Sequence, residues 1–193
     1  MDTGFLMDKK TFLIFLMVWF SGFIISSPAD NLKIKFSAGF LVIILIHILG
    51  LERCSDEVNL KAFNITAVTY PVIEVLLRAS IGFIDPLAVN IAEHFLAGAA
   101  VASVISVASW GTLKKLNLNE RFLFLSCLAI VICLLYELIG YLLYYEPTAA
   151  LYSDTMRDLA MNIAGSATLS VIILALNKKH GARESADEGT SGP

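Results

Sequence analysis

Six long apolar runs joined by short polar connections constrain this chain more than any other feature. They are Thr11 to Ser27, Ile34 to Leu51, Ala62 to Ile84, Leu87 to Trp110, Phe122 to Tyr145 and Thr155 to Asn177. A helix that crosses a bilayer needs about 20 mostly apolar residues, with roughly 17 as the lower limit. Five runs meet that demand or nearly so. The third carries Asn64, Pro71, Glu74 and Arg78, so it either lies flat at the interface or spans with its polar face turned inward. Hydrocarbon offers no partner to backbone N–H and C=O groups, so runs of this length must satisfy them within helices. The expected fold is all-α, an integral membrane helical bundle of six transmembrane helices with a disordered C-terminal tail. Composition agrees: hydrophobic residues make up 57% and charged residues 16% of the 193, against about 25% charged in soluble domains. A soluble fold of this length buries only about 70% of its surface and could not hide so much apolar area.

Charge decides between five and six spans, because cytoplasmic loops carry the excess Lys and Arg. With six spans, the cytoplasmic side holds Lys9, Lys10, Arg53, Lys61, Lys114, Lys115, Arg121, Lys178, Lys179 and Arg183, ten in all, against Lys33 and Lys35 outside. With five, everything after the third run inverts and the bias nearly vanishes. The expectation is therefore a multi-pass protein of the cell membrane with both termini cytoplasmic. Residues 1–177 form a single transmembrane domain, and 178–193 a disordered cytoplasmic tail without apolar periodicity. Lys9-Lys10, an apolar run and Ser27-Pro28-Ala29 share the layout of a secretory signal, but another hydrophobic run follows at once, and the segment reads as the first span. Net charge is −3, so no nucleic-acid partner is expected, and membrane lipids are the surroundings. Cys127 and Cys133 sit in apolar runs and read as small core residues.

Ionisable side chains inside a membrane are costly and mark function by default. At 1.5 Å rise per residue, several fall at one depth in the half of the bilayer away from the cytoplasm. The fourth span opens on Asp85-Pro86, an N-cap and a first-turn proline. Asn90 and His94 follow on one face, His94 about 12 Å below the cap; Glu93 points about 100° away. Glu137 lies at a similar depth in the fifth span. Asp154, Asp158 and Asn162 recur every fourth residue as one stripe of the sixth, and Arg78 of the third reaches the same layer. Some of these have local explanations. Asp154 with Ser153 could cap a helix, Arg157 could snorkel to the interface, and Glu74 with Arg78 could neutralise one another as an i,i+4 pair. His47 reads as a helix contact. His94, Glu137 and Asp158 are harder to explain that way, because three isolated ionisable groups must face one another or water.

Four pieces carry a resemblance: His47-Ile48-Leu49-Gly50; Asp85 leading to Glu93-His94-Phe95-Leu96-Ala97-Gly98; Tyr136-Glu137-Leu138; and the D-T-x-x-D-L-x-x-N-x-x-G stretch from Asp154 to Gly165. Here the chain resembles the YjdF-like family of small multi-spanning membrane proteins, in style VanZ-like. The resemblance implies a helical membrane fold and these site positions, and no defined chemistry.

Two functional classes fit the polar layer, with a purely structural or accessory role as a third. One is a membrane-embedded enzyme on a lipid or lipid-linked substrate, with His94, Glu137, Asp158 and Asn162 catalytic and Arg78, Asn90 and Asp154 binding substrate. His94 would act as general base and Arg78 as the phosphate contact. His94, Glu137 and Asp158 are also a candidate ligand set for a divalent metal, being hard nitrogen and oxygen donors. The other class is a small ion-coupled transporter, in which the same carboxylates relay protons or bind cations.

Overall fold

The structure is a computed structural model that describes residues 9–25, 37, 39–41, 44, 56–144 and 148–190. Among these residues it is helical throughout, with one isolated bridge (Ile81 to Ile84) and no strand. Its helices are α1 (Lys9–Ile25), α2 (Glu57–Ala79), α3 (Pro86–Ala108), the single turn α4 (Trp110–Leu113), α5 (Leu118–Tyr144) and α6 (Ala149–Thr190). Four of them, α2, α3, α5 and α6, are long and apolar enough to cross a membrane, and α1 has a shorter apolar stretch, Leu13–Ile24. The expected second span, with His47, falls largely outside the described residues; Phe40 from it stacks on Phe15 of α1 at 6.3 Å between ring centroids.

Local signals start the helices, α3 at the expected Asp85-Pro86 and α2 and α5 a turn ahead of their apolar runs. Asp56 accepts from the Asn59 amide at 2.8 Å to cap α2, and Asp85 accepts from Leu87 ahead of Pro86 to cap α3. Asn117 and Glu120 form a reciprocal capping box at the start of α5. Between α2 and α3 the chain reverses in a few residues, with Gly82 at φ 109°, a backbone state that side chains with a Cβ rarely adopt. Pro71 lies inside α2, where it cannot donate to the Ala67 carbonyl four residues back. The indole N–H of Trp19 donates to that carbonyl at 2.9 Å, so the helix break is filled by α1.

The third run lies largely in α2, where Glu74 and Pro71 are buried and Asn64 is half-buried, while Leu76, Val72 and the Glu93-paired Arg78 are exposed. The same inversion holds across the bundle. Phe20, Leu142 and Val171 lie outside, and Asp158, Asn162, Ser166 and Ser170 inside, as befits a protein whose solvent is hydrocarbon. Helix α3 is central, packed on α2, α5 and most extensively α6. Apolar clusters fasten α1 to α2 and α3 (Phe15, Trp19, Phe63, Ala67, Val107) and α3 to α5 (Ala102, Ile105, Leu125, Ala129).

Three expectations are corrected here. The tail expected to be disordered from Lys178 continues as helix to Thr190. Once a helix is formed, extension needs no new nucleus, and Ala182, Arg183, Glu184 and Ala186 are compatible with it, leaving Gly181 as a weak interruption. Asp154 is not a cap, because α6 begins at Ala149 with Thr148 accepting from the Leu151 amide. Cys127 is exposed, while Cys133 is buried; on an all-apolar helix, composition cannot say which side meets lipid.

Candidate functional site

The site is built on the α3–α6 contact, where two glycines let the backbones close. A Cβ on Gly98 would collide with the Asn162 carbonyl, and one on Gly165 with the Phe95 carbonyl. That approach brings the His94 ring, one turn before Gly98, against the polar stripe of α6. Nε2 of His94 lies 3.3 Å from Oδ2 of Asp158. Helix α5 closes the other side: Nδ1 lies 3.3 Å from Oε1 of Glu137, and the Asn162 amide nitrogen is 3.4 Å from the same ring atom. Three helices thus deliver a carboxylate, an imidazole and a second carboxylate in a row. All three side chains are about nine-tenths buried.

The row continues toward the α2–α3 turn end of the bundle. Asn90 donates to Asp158 at 3.0 Å and to Asp154 at 3.5 Å. Asp154 is half exposed and pairs with Arg157. Of the two residues expected to touch substrate, Asn90 bridges Asp158 to Asp154, and Asp154 carries the row to the surface. Arg157 is held by Asp154 rather than snorkelling alone. At the other end of the row, His94, Glu137 and Asn162 line a cavity of about 370 Å³ between the helices. Its remaining wall is mainly apolar and aromatic, with Trp19, Phe63, Tyr70 and Tyr136 contributing rings.

Glu93 is the cavity-lining carboxylate that sequence reading passed over. It does point away from His94 along α3, but it reaches the same cavity from another side, is 3% exposed, and bonds Arg78 at 2.6 Å. The 100° rotation that separates neighbours on one helix still leaves both facing one cavity when α1, α2, α5 and α6 all contribute to its wall. Arg78 accordingly answers Glu93 across the α2–α3 contact, not simply Glu74 one turn before it. It does not line the cavity.

The suggested metal set is not met by this geometry. Glu137 and Asp158 address opposite nitrogens of one imidazole, so an ion on either nitrogen would reach only one of the two carboxylates. Among the described residues, no group of three His, Cys, Asp or Glu side chains is arranged to hold a metal ion. The chemistry the row can perform is proton movement. With Nδ1 protonated and Asp158 carrying a proton, Asp158 can pass its proton to Nε2 while Nδ1 releases its own to Glu137. The ring stays neutral, and one proton has moved from the surface-linked carboxylate to the cavity-lining one. One polar atom at the cavity end has no hydrogen-bond partner, Oδ1 of Asn162, on a residue only 2% exposed; Oε1 of Glu137 faces His94 Nδ1. Comparison with family models, curated proteins and solved structures gives no match.

Proposed function

We propose that this is a small proton-coupled carrier of the cell membrane, with the 370 Å³ cavity as its substrate site and His94 as the coupling residue. One observation carries the reading: each ring nitrogen of His94 has a carboxylate oxygen at 3.3 Å, one leading to the surface and one to the cavity. A general base working on a substrate keeps one nitrogen for the reacting atom and uses the other for an orienting group. His94 has neither nitrogen to spare, which disfavours the enzyme reading. A purely structural role would not require a titratable chain that ends at a cavity. The remainder of the proposal is the topology from the charge count, with six spans and both termini cytoplasmic, so that the Asp154 end of the row faces away from the cytoplasm. Kinship with YjdF-like proteins belongs to the same proposal.

The test uses the full chain in lipid vesicles that enclose a pH-sensitive dye. A panel of small amphipaths, positive, negative and neutral, is added outside. At least one should evoke a change of internal pH in vesicles holding the wild-type protein, over and above that in protein-free vesicles. His94→Gln and Glu137→Gln should abolish the difference while inserting normally. Identical traces for wild type and both variants with every solute would overturn the carrier reading.

A further inference from the structure

The walls of the cavity specify the charge of what it takes. Among the described residues no lysine or arginine lines it, whereas two carboxylates do, Glu93 and Glu137. The Arg78 guanidinium is held on Glu93 at 2.6 Å and stands outside the lining. Among the described residues an anionic headgroup or phosphate would find no lysine or arginine here, and burying an unpaired anion is costly. Across from the acids are the rings of Trp19, Phe63, Tyr70 and Tyr136, whose faces attract cations and pack against apolar bodies.

A second, independent feature narrows the class. Oδ1 of Asn162 is a hydrogen-bond acceptor without a partner, on a residue that is 2% exposed and lines the cavity. It is held there once Nδ1 of His94 has passed its proton to Glu137, because the bare Nδ1 then accepts from the amide nitrogen of the same side chain at 3.4 Å. The Glu137 carboxylate approaches that same Nδ1 at 3.3 Å, so the free carbonyl and the carboxylate belong to one corner of the cavity. A buried acceptor left empty is costly, and a carboxylate beside it asks for a charged donor. We infer that the cavity binds an amphipathic ammonium: an apolar, preferably aromatic body among the rings, with a nitrogen that still bears N–H directed at Glu137 and the Asn162 carbonyl. The rim supports entry from the lipid, since Tyr136 and Ile132 line the cavity and are also exposed on the surface of α5.

This inference rests on the carrier reading only in sharing its cavity, and the two can fail separately. The probes are phenylbutylammonium, phenylbutanol and phenylbutyrate, which share a body and differ in charge, together with the trimethylated ammonium, which lacks N–H. Binding to the full chain in lipid nanodiscs should rank the ammonium first, about tenfold tighter than the alcohol, a factor equal to about 1.4 kcal/mol. The carboxylate should be weakest and the trimethylated probe several-fold weaker than the ammonium. In Glu137→Gln, alcohol binding should persist as a check on folding while the preference for ammonium is lost. Should that variant fail to fold, Asn162→Asp replaces the free carbonyl by a second carboxylate and should widen the preference. Alcohol or carboxylate binding as tightly as the ammonium would overturn the inference, as would an unchanged preference in Glu137→Gln or Asn162→Asp. Proton release on binding is read in the same samples. Ammonium selectivity without proton release removes the coupling and leaves the substrate class. Proton release evoked equally by all probes does the reverse.

Discussion

The α3–α6 interface has two ends that use polar residues for opposite purposes. On one side of the Gly98–Gly165 contact lie His94, Asp158, Asn162 and Asn90. On the other lie serines. Ser166 donates to the Gly98 and Asn162 carbonyls, Ser170 to the Ser166 carbonyl, Ser103 to Ala100 and Ser106 to Ser103. Every one of those hydroxyls returns to backbone within a turn or across the helix contact, and small side chains let the helices approach. That end is adhesive. At the His94 end, side chains meet side chains from other helices, several are ionisable, and the Asn162 carbonyl stays open beside a cavity. Burial is the same at both ends, with Ser166 and Ser170 fully buried and Asp158 and Asn162 nearly so. What separates glue from site is therefore where the hydrogen bonds end and whether any remain unmade.

The comparison breaks most violently at its boundary. Gly165→Val would force a branched side chain onto the Phe95 carbonyl. Overpacking of ordinary cores costs about 1–3 kcal/mol; here the obstacle is backbone, so a loss at the top of that range or beyond is expected. Both ends should suffer together. Detergent-solubilised protein should lose monodispersity on size exclusion, and an unchanged elution profile would mean that the helices have room the structure does not show.

A smaller effect distinguishes the ends. Removing one partner of a buried charged set typically costs about 3–5 kcal/mol, while apolar replacement of such groups is often near neutral. Asp158→Asn preserves the bond from Asn90 and should keep the melting temperature within a few degrees of wild type, yet eliminate the substrate-evoked pH change. Asp158→Leu leaves His94 and Asn90 without their partner, so it should be less stable than Asp158→Asn and equally inactive. Asp154, half exposed, should tolerate Asn with most activity retained. A fully active, stable Asp158→Leu protein would reassign the His94 end to the same adhesive class as the serines.

The smallest effect belongs to the serine end. Ser170→Ala removes one hydroxyl bonded to its own helix, for which the net loss is about 0.5–1.5 kcal/mol or less. Thermal melting should move slightly, and vesicle activity not at all. A collapse of activity would join the serine end to the proton row.

How much of this was legible beforehand differs by residue. His94, Glu137 and Asp158 could be matched because they lie at equal depth on apolar helices, and counting residues along a helix measures depth directly. Depth alone does not give azimuth between helices. The sequence accordingly left Glu93 aside, paired Arg78 with its own neighbour Glu74, and put Cys127 in the core. Periodicity on one helix says nothing about which flank a second helix will cover.

By itself, then, the sequence determined an all-helical membrane protein and the level of its polar layer, since both follow from apolar length and the 1.5 Å rise. It also determined the capping of α3, because Asp85 and Leu87 are only two residues apart. Tertiary structure alone decided that the two carboxylates would take opposite nitrogens of one ring and so suit a proton rather than a metal. It also decided that Trp19 would supply the donor Pro71 denies to Ala67, and that a cavity bounded by acids and rings would open beside His94. Those outcomes depend on how far apart helices distant in sequence come to rest. Here that spacing is set at Gly98 and Gly165, where the absence of a Cβ lets two backbones touch.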